Sequence, residues 1–292
     1  MGSRCDSRAR TTAAVLPLGV SVTVMRRRQR ARGVGWGHAM SAAGRGVKDI
    51  GAERLAQLNA GAPATHLTEC LAVDFALLMQ ALAPEVGADG IAAMQAASAL
   101  GISKRMAVAA RILHDGLGAA GFARMASQAS DTARGWACFM IGAAPDLSLA
   151  QRLARIRPLA DDAHFGVREW AWLAVRPALA ADLDAAITQL QPWTAMPSER
   201  LRRFASEALR PRGVWCAHVA ALKADPGRAL PLLEPLRADP AVYVQDSVAN
   251  WLNDASKDQP DWVRGVCARW LTHSPVAATQ RICQRALRTI GA

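Results

Sequence analysis

The six cysteines of this 292-residue chain form no C-x-x-C pair. Cys5, Cys70, Cys138, Cys216, Cys267 and Cys283 are scattered, which argues against a disulfide framework and against a zinc site. They point to a reducing compartment. The six histidines fall into no H-E-x-x-H and no other ligand spacing, so no metal is expected. No uninterrupted apolar run reaches the roughly 18 residues that a membrane span needs. Lysine is scarce too, 4 against 31 arginines. That bias suits planar phosphate contacts, or reflects an alanine- and arginine-rich composition.

What is present is ample for a core: 51% of residues are hydrophobic. The net charge is +11, unevenly placed, because residues 1–39 carry eight Arg and one Asp. The remaining body is mildly basic, compatible with a polyanionic partner. Residues 1–45 read as an unstructured Arg-rich leader. A secretory signal has the opposite order of charge and apolar stretch. A transit peptide, or a native start at Met25 or Met40, also fits, so this segment stays outside the fold argument.

From Gly46 onward the patterning is helical, with no stretch reading as a strand, and the class is all-α. Helices are expected at Val47–Asn59, Thr68–Leu82, Ile91–Ala99 and Ser103–Leu113. Thr68 reads as an N-cap, and Gly116 and Gly118 as closing the last of these. Asp74 reads as a helix-surface carboxylate. The chain is then organised around Phe165–Pro177, F-G-V-R-E-W-A-W-L-A-V-R-P. Val167, Trp170, Ala171 and Ala174 make one apolar face. Glu169, Trp172, Leu173 and Arg176 make a second stripe, setting a carboxylate, an indole and a guanidinium side by side.

The segment recurs. Arg168-Glu169-Trp170-Ala171 matches Arg134-Gly135-Trp136-Ala137, Arg202-Arg203-Phe204-Ala205, Gln245-Asp246-Ser247-Val248 and Gln280-Arg281-Ile282-Cys283, and Pro177 lands on Pro211. Such periods signal a helical solenoid, in which each helix pair buries its face against its neighbours. Leu147–Ile156, Leu183–Leu190 and Arg228–Leu236 would be the first helices of the pairs. Trp136 and Trp170 share a core column and read as packing. The column Gly135, Glu169, Arg203, Asp246, Arg281 is not apolar, so it is expected to face solvent, a groove or a ligand.

Three segments now carry a resemblance: the F-G-V-R-E-W-A-W-L-A-V-R-P run, R-R-F-A-S-E-A-L-R-P-R-G at Arg202–Gly213, and Y-V-Q-D-S-V-A-N-W-L-N-D-A-S-K-D at Tyr243–Asp258. They resemble the HEAT-like-repeat DNA alkylation repair glycosylases of the AlkC and AlkD type, AlkC more closely. Ala52–Gly61 and Leu67–Phe75 resemble the same group. The resemblance implies a right-handed α–α superhelix over residues 46–292, a single domain. It implies excision of N3- or N7-alkylated purines from double-stranded DNA, with no metal and no organic cofactor. A cytoplasmic, nucleoid-associated monomer is expected. Some AlkC relatives carry a C-terminal immunoglobulin-like domain, whose grip is expected to be absent here.

The family pattern is an aromatic, three residues, a carboxylate and, one repeat on, an Arg pair. Phe165, Glu169 and Arg202-Arg203 match it, although the AlkD-type pattern has Trp where Phe165 stands. The resemblance makes Glu169 the catalytic carboxylate, Arg203 the grip on the phosphate beside the lesion and Trp172 a wall for the deoxyribose. Phe165, Arg168, Arg202, Arg210, Arg212, Asp246, Asn250 and Trp251 are the further DNA-contact candidates. Trp251 matches a substrate-contacting Trp of the family but falls in the core column of Ala174, and both roles stay open. The competing readings are a non-catalytic HEAT-repeat scaffold and a DNA-binding protein without activity. Convergence of Glu169, Trp172 and Arg203 on the concave face amid basic residues favours the enzyme, whereas side chains pointing into helix interfaces or lying on the convex side count against it.

Overall fold

The computed structural model describes residues 46–213 and 215–291, and the expected leader at 1–45 lies outside them. The described residues form fifteen α-helices and no strand. In chain order they are α1 (Ala52–Asn59), α2 (Leu67–Ala72), α3 (Phe75–Leu82), α4 (Gly87–Ala96), α5 (Ile102–Ala126), α6 (Asp131–Ala143), α7 (Leu149–Ala160) and α8 (Phe165–Ala181). There follow α9 (Leu183–Leu190), α10 (Glu199–Glu207), α11 (Ala220–Ala224), α12 (Leu230–Leu233), α13 (Val242–Ala255), α14 (Pro260–His273) and α15 (Ala277–Ala286).

The second helix of each repeat packs on its counterpart: α6 on α8, α8 on α10, α10 on α13, α13 on α15. The sequence columns become layers of this stack. Ala137, Ala171, Ala205, Val248 and Cys283 are all buried. So are Trp136, Trp170, Phe204, Ser247 and Ile282. Small residues in the first layer let the helices approach, and large ones in the second fill the space between them.

The first polar column has a purpose the sequence did not reveal. Arg134 Nη1 donates to the carbonyls of Gln128 and Ala129, six and five residues earlier. Arg168 does the same to Asp162 and Ala163, and Arg202 to Met196 and Pro197. Gln245 repeats it with Asp239 and Pro240, and Gln280 reaches Pro275. Each side chain thus clamps the loop leading into its own helix, satisfying carbonyls that no helix bond can reach. Arg152 and Arg176 hold carbonyls at the ends of α6 and α10 in the same way. Much of the arginine excess is therefore structural, since a guanidinium fork serves two carbonyls at once.

Several expected helices differ in their bounds. Thr68–Leu82 is two helices. Asp74 breaks it by accepting from the amides of Ala76 and Leu77 as the N-cap of α3, so it is an exposed carboxylate, as expected, but with a capping role. His66, not Thr68, caps α2. Helix α5 is interrupted at Gly118, as expected, but continues beyond it. It runs to Ala126 around a kink at Gly118, where φ is 57°. Around Arg228–Leu236 only α12 is α-helical, flanked by 3₁₀ turns at Pro226–Ala229 and Glu234–Leu236, because Pro226, Pro231 and Pro235 interrupt the bonding. Pro177 lies inside α8 whereas α10 stops before Pro211, so the two prolines are not equivalent.

Candidate active site

Helix α8 begins at Phe165 because His164 turns back as its N-cap, Nδ1 accepting from the Gly166 amide. One turn later Glu169 faces the α10 side, and α10 brings Arg203 to meet it. Arg203 Nη2 lies 2.6 Å from Glu169 Oε1, and the Trp172 indole donates to Glu169 Oε2 at 2.8 Å. The three residues picked from the sequence converge. They do so within the α8–α10 interface, however, and not on an open wall. Glu169, Trp172 and Arg203 are 7%, 4% and 5% exposed, so the column is buried at Glu169 and Arg203, against expectation, while Asp246 and Arg281 are half-buried. The physical reason is that its members answer one another across repeats. Glu169 pairs with Arg203, and Asp246 pairs with Arg281 at 2.7 Å. The row ends at Gly135, where a Cβ would lie 2.6 Å from Trp170 Cδ1.

A second carboxylate, unforeseen, completes the group. Glu207 Oε2 is 3.7 Å from Arg203 Nη2 and accepts from Ser247 at 2.7 Å, while its Oε1 accepts from Arg210 at 2.8 Å. Arg210 is held in turn by Asp254. Ser247 is the polar exception in its buried layer because it serves Glu207. A close reading of spacing could have found Glu207, since it follows Arg203 by four on one helix face. Tyr243 was also missed. It is the chain's one tyrosine, and its ring lies 4.5 Å from the Arg203 guanidinium and 5.3 Å from that of Arg168. Arg168 Nε donates to its hydroxyl at 3.1 Å. Its only sequence signal was its place one turn ahead of Asp246.

The two carboxylates titrate in opposite directions. Burial, reinforced by the negative Glu207, pushes the Glu169 carboxyl above its ordinary value despite Arg203 and the indole. Burial opposes ionisation of Glu207 too, but Arg210, Arg203 and Ser247 overcome it and hold that group at about 2. Arg203 stays protonated, its affinity for the proton raised by Glu169 and Glu207 against its burial.

The remaining candidates scatter. Phe165 is half-buried and stacks on His164, with ring centroids 4.7 Å apart. Arg168 is a loop clamp that also reaches Tyr243. Arg202 is taken up by Asp239 and its own loop, so it has no free donor edge for phosphate. Arg210 is 5% exposed and committed to Glu207 and Asp254, which corrects its assignment as a DNA contact. Trp251 resolves as core: it is fully buried and donates to the Leu209 carbonyl. Arg176 leaves the Glu169 stripe to bind carbonyls of Ala208, Arg210 and Ala217. Arg212 pairs with Asp258, and Asn250 accepts from Arg288. Asp246 faces two arginines, Arg281 and Arg285. With Arg288 these lie at i, i+4 and i+7 along the α15 end, a basic edge with one carboxylate. Among the described residues no cluster of His, Cys, Asp and Glu could hold a metal ion, and no helix is long and apolar enough to cross a membrane.

The backbone has a match among solved structures. Pseudomonas fluorescens alkylpurine DNA glycosylase AlkC, bound to DNA containing an abasic site analog, superposes with a TM-score of 0.61 at 26% identity. The match covers 85% of this chain and 65% of that one. The fold is of the AlkC and AlkD type. AlkD2 from Streptococcus mutans agrees in fold, with a TM-score of 0.51 at 20% identity over 75% of this chain and 95% of that one. The chain thus spans slightly under two thirds of the length of AlkC. It is also 44% identical over 117 residues to the uncharacterized protein YhaZ of Bacillus subtilis, which is 40% of this chain and 32% of that protein. No family model matches.

Proposed function

We propose that the helical-repeat domain, residues 46–292, is a monomeric DNA glycosylase. It hydrolyses the N-glycosidic bond of N3- or N7-alkylated purines of the 3-methyladenine type in duplex DNA, without metal or organic cofactor. The observation that carries this reading is the meeting of Glu169, Trp172 and Arg203 within an AlkC-type fold. An N-alkylated purine is already cationic and leaves readily. The protein has chiefly to stabilise an oxocarbenium-like sugar and orient a water, and one carboxylate suits both tasks. Burial raises the proton affinity of the Glu169 carboxyl above its ordinary value, which strengthens it as a base.

In the free protein both Glu169 oxygens are taken. Access therefore depends on Arg203. A backbone phosphate offers the guanidinium a bidentate partner, and moving toward it bares Oε1. Tyr243 and Trp172 then flank the sugar, and Arg168, Arg212 and the Arg281, Arg285, Arg288 edge follow the backbones. The test is release of methylated base from alkylated duplex by wild type and Glu169→Gln. A loss of about 100-fold or more, with duplex binding retained, is expected. Equal release by both proteins removes Glu169 from the mechanism.

The burial of Glu169 favours a second reading, a non-catalytic helical-repeat scaffold or DNA-binding protein in which the Glu169–Arg203 pair only ties two repeats. Absence of release by folded wild type decides for it.

A further inference from the structure

Arg203 stands between two carboxylates that are not equivalent. Glu207 receives a hydroxyl from α13 and a guanidinium from Arg210 in the turn after α10, and Asp254 anchors that guanidinium from behind. Glu169 receives only Arg203 and the Trp172 indole. Glu169, Glu207 and Asp254 face Arg203 and Arg210, and the buried Arg176 acts on Glu207 and Asp254 as well. Lys257 reaches only the outer Asp254, at 3.1 Å. The carboxylate with the fewest donors, Glu169, is therefore the place where a proton is most easily accepted. The charges nearby on the other elements are committed elsewhere: Arg168 to its own loop and Tyr243, Arg176 to carbonyls beyond α10. On α6 the equivalent position is Gly135, and Arg134 is paired with Asp162. From α13 the uncharged Tyr243 ring covers Arg203.

We propose that Glu207 is a positioning residue that acts through Arg203: it draws on the same guanidinium, stays ionised itself, and sets the pH at which Glu169 takes up its proton. This rests on the reading of Glu169 as the reactive carboxylate. The relation between the two carboxylates nevertheless has its own observable. The Trp172 indole N–H donates directly to Glu169 Oε2, so its ¹⁵N and ¹H resonances report the protonation of Glu169 without any DNA.

The experiment is a pH titration of the Trp172 indole signal in the ¹⁵N-labelled full chain. Trp172→Phe assigns the signal, and Glu169→Gln must abolish its titration. In Glu207→Gln the midpoint falls by about one pH unit, because a like charge is removed and Arg203 turns wholly to Glu169. Glu207→Asp keeps the charge and restores the midpoint toward wild type, which a packing role for Glu207 would not do. An unchanged midpoint in folded Glu207→Gln overturns the proposal. Should that variant not fold, Ser247→Ala decides. Losing one donor makes Glu207 compete harder for Arg203, so the midpoint rises; no movement overturns the proposal. The acid limb of base release, measured on the same proteins, should move with the indole midpoint. If the indole responds as described while wild type releases no base, the electrostatic relation stands and the glycosylase reading falls. If base is released and the indole midpoint ignores Glu207, the reverse holds.

Discussion

Replacing Arg203 by Met removes the one cation that two buried carboxylates share. Met keeps much of the aliphatic volume, so the change is mainly electrostatic. Arg203 is 2.6 Å from Glu169 and 3.7 Å from Glu207, with Tyr243 stacked over it at 4.5 Å. Leaving one partner of a buried pair uncompensated costs about 3–5 kcal/mol, and the lost stacking on Tyr243 adds roughly 0.5–2 kcal/mol. Protonation of Glu169 limits the loss, because the neutral acid tolerates burial. The cost therefore depends on pH, and the sign follows from the two carboxylates. Glu169, whose folded value is raised, contributes stability below its unfolded value, and that contribution is lost as pH rises through the folded value. Glu207, held at about 2, contributes stability above its unfolded value that is lost as pH falls toward 2. Removing Arg203 raises both folded values, so the deficit of the variant grows as pH rises through and above the carboxylate range.

The assay is denaturant unfolding followed by far-UV circular dichroism at mildly acidic pH and at pH 8. A deficit of about 3–5 kcal/mol is expected at the higher pH, and a clearly smaller one at the lower. In Arg203→Met/Glu169→Gln most of the deficit should disappear, since the stranded charge is gone. A loss below about 1 kcal/mol that is independent of pH, or a second substitution that adds to the first, would refute the reasoning.

The loop clamps make a graded series. Arg168→Ala and Arg134→Ala should each cost about 1–3 kcal/mol by stranding two carbonyls, whereas Arg→Gln should cost much less, as Gln245 does the same task in its own repeat; thermal melts of the four variants check this. Gly142→Ala should destabilise more than Gly135→Ala. The new Cβ meets the Ala174 carbonyl oxygen at the first site and the Trp170 ring at the second, and only a side chain can yield. The ordinary cost of overpacking is about 1–3 kcal/mol, read as lowered melting temperature. Duplex affinity should fall steeply with added salt, and the slope of log K against log salt should flatten by about one for each of Arg281→Ala and Arg285→Ala that removes a phosphate contact. A slope unmoved by both would exclude the α15 edge from the DNA surface.

The layers were readable in the sequence because they obey period and volume. A column of Ala, Ala, Ala, Val and Cys beside one of Trp, Trp, Phe, Ser and Ile admits little but a stacked helix pair. Trp251 could be placed in the core from its register alone, against the motif that suggested otherwise. The helix break at Asp74 was not readable, whereas the one at Gly118 was, because a glycine can take a positive φ. The former turns on a single side-chain cap, which leaves the hydrophobic period undisturbed. The fate of the arginines was equally hidden. Arg168 and Arg202 look alike as candidates for phosphate, and only coordinates show their donors filled by carbonyls five and six residues back. Glu207 escaped notice because Ser247, which donates to it, lies 40 residues away in sequence, and because Arg203 and Arg210 both read as phosphate contacts.

A charged column in a repeat protein invites the inference that it faces water, and here that inference fails for a reason that extends to the site itself. Stacking places like positions of successive repeats within reach of each other, so a column of alternating sign can satisfy itself inside the interface. Glu169 with Arg203 does so wholly, and Asp246 with Arg281 in part. The same geometry makes the first pair reactive in prospect. A guanidinium held by two carboxylates needs only one better acceptor to change allegiance, and a phosphate is such an acceptor. The carboxylate left behind is the one with fewer donors and the higher proton affinity. A site closed in the free protein is thus compatible with hydrolysis once bound DNA competes for Arg203. That order of events predicts that free phosphodiester analogues, added without a lesion, shift the Trp172 indole resonance of wild type but not of Arg203→Met.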